Sequence, residues 1–231
     1  MEAIILAGGL GTRLQPVISD IPKPMAPVAG KPFLQYLLGW LQSNMISRVI
    51  LAVGYKWEMI HRTLGDRFDK TELSYSIEDM ALGTGGALKQ AMGQLKGEKF
   101  FIVNGDTFCK ICLSRLFAFH QSGNFDLSML LKPMPDAGRY GIVTINDRLR
   151  ITGFSEKQPG SAGLINAGIY IANNHIEQYF PHKKAFSFEK EFLETQLHRL
   201  SFGGLVSDSY FIDIGVPEDY QRAQTEFLSL E

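Results

Sequence analysis

Three short runs constrain this chain most. Ala3 to Ala7 is wholly apolar and stops at Gly8-Gly9. Arg48 to Val53 (Arg-Val-Ile-Leu-Ala-Val) stops at Gly54, and Lys99 to Val103 stops at Asn104-Gly105-Asp106. A strand with one wet face alternates apolar and polar residues. These runs do not alternate, so each reads as a strand covered on both faces, the kind a parallel sheet uses. Between them the period changes: Phe33, Tyr36, Leu37, Trp40 and Leu41 recur at 3/4 spacing and predict an amphipathic helix. Lys56–Leu64 and Ala87–Leu95 read as further helices, and Leu73–Ile77 as a strand. Strands alternating with helices at this spacing imply right-handed βαβ units and a largely parallel sheet.

The second half changes character. Leu127–Leu131, Gly141–Ile145, Ile151–Phe154 and Ala167–Ile171 are strand-like with turns between them. A helix over Ser187–Leu200, a strand over Tyr210–Ile214 and a closing helix over Pro217–Leu228 follow. A length of 231 residues suits one domain, and no repeat or linker divides it. The expectation is a three-layer, Rossmann-like α/β fold over residues 1–231, with a mostly parallel mixed sheet. Its first half runs to about residue 125, and a smaller, more antiparallel half follows from about residue 126.

Charge narrows the function classes. Lys and Arg total 23 against 24 Asp and Glu, for a net charge of −1, which argues against nucleic acid as a partner bound by phosphate neutralisation. No apolar run approaches the ~20 residues of a membrane span. The first residues lack a basic stretch and lead straight into a strand, so no signal peptide is expected. Cys109 and Cys112 cannot build a disulfide framework and fit a reducing cytoplasm. As Cys-x-x-Cys with only His120 nearby, they also fall short of a zinc site, so free thiols are expected. The five histidines show no ligand spacing and are expected at the surface.

The sharpest motif is Leu6-Ala7-Gly8-Gly9-Leu10-Gly11-Thr12-Arg13. Glycines at 8, 9 and 11 after a buried strand let backbone N–H groups approach a polyphosphate closely. Arg13 adds a permanently charged fork suited to phosphate oxygens. Alone, the glycines could equally make a tight turn. The pattern is neither Gly-Lys-Ser/Thr nor Gly-x-Gly-x-x-Gly, which disfavours a dehydrogenase. Ten residues beyond Arg13 stands Pro22-Lys23-Pro24. Its prolines stiffen the backbone, are expected to hold it extended, and fix the Lys23 side chain in place.

Together, Gly-Gly-x-Gly-Thr-Arg and Pro-Lys-Pro resemble the sugar-phosphate nucleotidyltransferase (nucleoside-diphosphate-sugar pyrophosphorylase) family. The resemblance runs almost end to end. Val103-Asn104-Gly105-Asp106 and Phe211-Ile212-Asp213-Ile214-Gly215 are similar to the segments that supply its two metal aspartates. Phe154-Ser155-Glu156-Lys157 is similar to its sugar-phosphate element, and Asn166-Ala167-Gly168-Ile169-Tyr170 to its sugar-contacting strand. Ile21–Pro27, Leu82–Ala87 and Tyr210–Tyr220 most resemble the branch that joins GTP to a heptose 1-phosphate. Mannose 1-phosphate guanylyltransferases and N-acetylmuramate 1-phosphate uridylyltransferases remain alternatives. A non-catalytic sensor would be expected to lose charged residues that are all present here.

That resemblance implies attack by a sugar 1-phosphate oxygen on the α-phosphorus of a nucleoside triphosphate. Arg13 would stabilise the departing pyrophosphate and Lys23 the α-phosphate, while Asp106 and Asp213 offer the hard oxygens that Mg²⁺ prefers. Leu6, Ala7, Gly8, Gly9, Gly11 and Thr12 would bind the nucleotide, with Gly83, Thr84 and Gly85 approaching the base by backbone. Glu78 falls at the base-reading position: a carboxylate only accepts, and guanine offers adjacent N1–H and N2–H₂ donors. An exposed strand-end glutamate is the plain alternative. Lys157 would hold the sugar's phosphate, and Gly141, Glu156 and Asn166 would form the sugar pocket. Nothing in the sequence announces an oligomer interface, so a monomer or small homo-oligomer is expected.

Overall fold

The structure, a computed structural model, describes residues 1–9, 14, 20–156 and 160–229. Each expected apolar run forms a strand: β1 (Glu2–Leu6), then, beyond the small hairpin of β2 (Pro27–Val28) and β3 (Lys31–Pro32), α1 (Phe33–Ser43) and β4 (Arg48–Val53). Next come α2 (Trp57–Leu64), β5 (Arg67–Phe68), β6 (Thr71–Ile77), α3 (Gly83–Met92), β7 (Lys99–Asn104), β8 (Thr107–Cys109) and α4 (Leu113–Ser122). β1 lies between β4 and β7, parallel to both, with Leu6 level with Ala52 and Asn104. β4 pairs in parallel with β6, Val53 against Ile77. The carboxyl ends of four neighbouring strands therefore share one edge, from which Gly8, Gly54, Glu78 and Asp106 emerge.

The runs do not alternate because each face of the sheet has its own core. Ala3, Ile5, Val49, Leu51 and Val103 pack against Phe33, Leu37 and Leu41 of α1 and Leu116 of α4. Ile4, Ile50, Phe100 and Ile102 pack on the other face against Leu88 and Ala91 of α3 and the rings of Phe188 and Phe192. That is the expected three-layer α/β arrangement.

The second half extends the same sheet. β9 (Leu127–Met134), β10 (Ile142–Ile145), β11 (Ile151–Ser155), β12 (Gly163–Asn173) and β13 (Phe202–Val206) join it; β12 runs antiparallel to both β7 and β9. The result is one ten-stranded mixed sheet in which the antiparallel strands flank the parallel ones. β14 (Phe211–Asp213) pairs instead with β8, and α6 (Pro217–Glu226) follows.

Several local expectations need correcting. The helix expected over Ser187–Leu200 is a wide π-helix, Glu189–Leu193, running into one short α turn, α5 (Glu194–Gln196). This turn accompanies stacking of Phe188 on Phe192, whose centroids are 5.4 Å apart. α3 starts at Gly83 rather than Ala87, so it takes in Gly-Thr-Gly-Gly, among the weakest helix formers. The backbone is extended at Pro22 (φ −60°, ψ 139°) but then winds into a 3₁₀ turn over Lys23–Met25. His120, expected at the surface, is buried between Ser128 and Asn173. Cys109 and Cys112 are free thiols, as expected, the first buried and the second exposed. Among the described residues no helix is long and apolar enough to cross a membrane.

Candidate active site

A cleft of about 500 Å³ opens where the parallel strands end. Its floor is Leu6, Ala7, Gly8 and Gly9, leaving β1. Lys23 and Asp106 line one end, and Glu78, Gly83 and Thr84 the other. These expected nucleotide-side residues thus meet in space. Gly11, Thr12 and Arg13 lie outside the described residues, as does Lys157.

The Lys23–Asp106 end is the most polar. Lys23 Nζ donates to Asp106 Oδ2 at 2.5 Å, and the lysine side chain is only 11% exposed. Asp213 comes to the same place through β-pairing, because β14 lies beside β8 with Asp213 opposite Thr107. Ile214 N also donates to the Asp106 carbonyl at 2.9 Å, which fixes the two aspartate segments together. Gly215 N donates to Asp213 Oδ1 at 2.7 Å. A methyl group on Gly215 would lie 2.6 Å from Asp213 Oδ1 and 2.7 Å from Lys23 Nζ, so one lysine and two aspartates crowd a single point.

That donor set suits a hard divalent cation. It offers two carboxylates and no nitrogen or sulfur ligand, and Mg²⁺ is ordinarily held by one or two carboxylates with water and phosphate oxygens completing its shell. Among the described residues no group of three or more His, Cys, Asp or Glu gathers anywhere, so a closed protein cage is not offered.

The opposite end centres on Glu78. Leu82 N–H donates to its Oε2 at 3.0 Å. Its Oε1 faces Gly8 so closely that a β-carbon there would sit 2.0 Å away. Burial raises the Glu78 pKa, and the Leu82 hydrogen bond only partly opposes it. A side chain at Gly8 would therefore force the end of the Glu78 carboxylate to shift.

Gly83, Thr84 and Gly85 have a second neighbour that the sequence did not announce. The segment around Phe186 lies along the first turn of α3: Phe186 N donates to Leu82 O, and Gly85 N to Phe186 O, both at 2.9 Å. A β-carbon on Gly85 would stand 2.2 Å from the Phe186 ring, and one on Gly86 2.2 Å from the Lys184 carbonyl oxygen. Thr84 Oγ1 donates to Glu189 Oε2 at 2.9 Å and accepts from Phe188 N. Gly85 does not line the cleft.

On the sugar side, strand register gathers what the sequence separates. Ile142 pairs with Ser155 and with Ile165, which makes Gly141, Glu156 and Asn166 neighbours. Asn166 Nδ2 donates to Tyr170 Oη at 2.6 Å and its Oδ1 accepts from Gly168 N at 2.9 Å, leaving one amide hydrogen for another acceptor. Glu156 is largely exposed, 3.7 Å from Lys190 Nζ. Asn104 lies in the cleft wall beside Asp106, and no sequence motif marks its side chain for a role. Its Oδ1 and Thr107 Oγ1 are buried without a hydrogen-bond partner among the described residues.

A cleft at the carboxyl edge of a parallel sheet, lined by glycines, a lysine and an aspartate, has room and charge for a nucleotide, and the chain belongs to the nucleotidyl transferase family, whose pattern it matches over residues 2–229. It is 48% identical to a D-glycero-α-D-manno-heptose 1-phosphate guanylyltransferase of Aneurinibacillus thermoaerophilus, over 98% of both chains. A protein of the same description from Campylobacter jejuni is 46% identical, over 95% of this chain and 97% of its own. The crystal structure of HddC from Yersinia pseudotuberculosis superposes with a TM-score of 0.87 at 38% identity, covering 98% of this chain and 99% of that one. The same protein complexed with GMP-PN gives 0.86.

Proposed function

We propose that this chain transfers GMP from GTP to D-glycero-α-D-manno-heptose 1-phosphate, releasing pyrophosphate. The observation that carries this reading is the meeting of Lys23 and Asp106 at one end of a cleft whose other end presents Glu78, with Asp213 brought beside them by the pairing of β14 with β8. A sugar-phosphate oxygen would form a bond to the α-phosphorus while the bond to the bridging oxygen of the pyrophosphate breaks. The attacking oxygen is already ionised, so no general base is required. The difficulty is bringing two anions together in line, which calls for positioned cations. Lys23 would meet the α-phosphate, Arg13 the departing pyrophosphate, and Lys157 the phosphate of the sugar. Asp106 and Asp213 would hold Mg²⁺, which when bound neutralises phosphate oxygens.

Guanine would be read by Glu78, whose two oxygens match adjacent donors, whereas uracil and thymine present one donor between two acceptors. The heptose is supported by relatives of 48% and 46% identity whose lengths the chain spans almost fully. Gly141, Glu156 and Asn166 would surround the sugar. The free thiols support a reducing, cytoplasmic setting, where the activated heptose would supply a surface polysaccharide or S-layer glycan.

The test is pyrophosphate release with Mg²⁺, crossing five nucleoside triphosphates with sugar 1-phosphates that include this heptose and mannose. Release with GTP and the heptose phosphate alone supports the whole reading. Release with mannose phosphate instead would overturn the sugar, and release with UTP or dTTP the role of Glu78.

A further inference from the structure

Asp219 is a buried carboxylate that the nucleotide cleft does not use: its side chain is only 6% exposed, in the first turn of α6. Two guanidinium groups grip it. Arg222, one turn along the same helix, reaches Oδ1 at 2.8 Å and also bonds Glu226. Arg139 reaches Oδ2 at 2.5 Å from 80 residues away in the chain. The local Arg222 alone would give this carboxylate a partner, so the distant one calls for a reason.

The reason lies in what Arg139 carries. It stands in the connection between β9 and β10, directly before Tyr140 and Gly141. Tyr140 packs edge-on against Phe211 at 6.2 Å, on the strand that ends in Asp213. The guanidinium of Arg139 also lies 5.6 Å over the Tyr140 ring. One connection is therefore fastened twice to the segment 211–219, once by rings and once by a charged pair. Beyond the fastening, Gly141 leads into Ile142, whose pairing assembles the Glu156–Asn166 corner.

We propose that Arg139 is a positioning residue: by holding Asp219 it locks the Tyr140–Gly141 connection to the Asp213 segment, so that the sugar corner and the aspartate site keep a fixed separation. This rests on reading Gly141, Glu156 and Asn166 as the sugar pocket and Asp213 as a metal ligand. The carboxylate of Asp219 is in turn held against the amino end of α6, where negative charge is favourable. An in-line reaction needs this separation most, since a misplacement of about 1 Å far from the chemistry can cost roughly 100-fold.

The experiment compares Arg139→Ala, Arg139→Lys, Asp219→Asn and the double Arg139→Ala/Asp219→Asn in steady-state pyrophosphate release. Arg139→Ala is expected to lower kcat/KM for the sugar 1-phosphate about 10- to 100-fold while KM for the nucleotide stays within about twofold. Arg139→Lys should recover part of the loss. The double variant should be no worse than the worse single one, as expected when two residues act through one contact. Amide hydrogen exchange at residues 137–141 should quicken in Arg139→Ala.

Unchanged kcat/KM for the sugar 1-phosphate and unchanged exchange in Arg139→Ala would overturn the proposal. So would a loss seen with Arg139→Ala but not with Asp219→Asn, which would mean that the guanidinium touches substrate itself. An equal rise of both KM values with a lowered Tm would reduce the pair to a structural role. Arg139 is half exposed, so its variants test the idea even if Asp219→Asn does not fold. A wild-type protein silent with every sugar 1-phosphate would defeat the proposed function instead, and exchange at 137–141 would then decide the brace by itself.

Discussion

Lys23 Nζ lies 2.5 Å from Asp106 Oδ2, although 83 residues separate them in the chain. The pairing gives the lysine two partners in prospect, because an α-phosphate and the aspartate would both attract its ammonium. Lys23→Met keeps the apolar stem and removes the charge. It should lower kcat by roughly 10²–10³-fold, the usual cost of deleting one donor aimed at developing negative charge. The same change removes a cation that competes for Asp106, so the Mg²⁺ concentration giving half-maximal rate should fall. Asp106→Asn should raise it sharply. A Mg²⁺ titration of the three proteins checks the pair, and an unchanged midpoint in Lys23→Met would separate the lysine from the metal site.

The glycines at the start of α3 invite a different test. Read with the family, they let the backbone approach a base; in the structure their missing β-carbons face Phe186 and Lys184. Gly86→Ala would meet a backbone carbonyl, which cannot swing away, so it should lower Tm by the equivalent of about 1–3 kcal/mol or more. Gly85→Ala meets a ring instead, and Phe186→Leu should rescue it. A rise in KM for GTP at unchanged Tm, in either variant, would return the glycines to base recognition.

These glycines also mark where the sequence stops being legible. The parallel strands announced themselves because a strand buried on both faces has no polar residues to hide, and Ile4 and Ile5 do face opposite cores. Lys23, Glu78 and Asp106 stood out through their likeness to the family's motifs, since a strand-end carboxylate is by itself ordinary, and the structure brings all three to one cleft. Phe186 and Glu189 were not. Their role comes from a segment folding back on α3 from roughly one hundred residues away, and nothing local in Phe-Ser-Phe-Glu encodes that approach. The three-residue strand β8 was likewise invisible, yet its pairing with β14 is what brings Asp213 to Asp106.

Glu78 gives the site a pH signature. Burial raises its pKa above the ordinary 4.5. On acidification it therefore takes up a proton earlier than an exposed carboxylate would. The protonated acid would present a donor where guanine also presents donors. KM for GTP should accordingly rise on the acid side, beginning above the ordinary carboxylate range. Glu78→Gln should lose that acid limb and raise KM at neutral pH by about 10- to 100-fold, the loss of a hydrogen bond to a charged group. Gly8→Ala should mimic part of this, since its methyl would displace Oε1. An acid limb persisting in Glu78→Gln would assign it to another group.

His120 should set an acid limit on stability rather than on activity. Its ring is buried beneath the antiparallel half, with Nδ1 3.0 Å from Ser128 Oγ and Nε2 3.3 Å from Asn173 Oδ1. Burial lowers its pKa below 6.5, helped by the Lys99 and His175 charges, against the opposing Asn173 hydrogen bond and Asp126. The folded protein thus prefers the neutral ring. Above pH 6.5 folded and unfolded chains are both neutral at this site, and its contribution is fully present. As pH falls below 6.5 the unfolded chain binds the proton first, and stability declines until the folded ring also titrates. The expected result is a Tm that drops between about pH 7 and about pH 5 more steeply in the wild type than in His120→Gln, which fills a similar volume without a titrating ring. His175, whose charge acts on the His120 ring, lies 2.8 Å from Asp126 Oδ1, so the comparison is made in both the His175 and the His175→Gln background. Parallel Tm profiles for the wild type and His120→Gln would show that the buried ring is not the group being titrated.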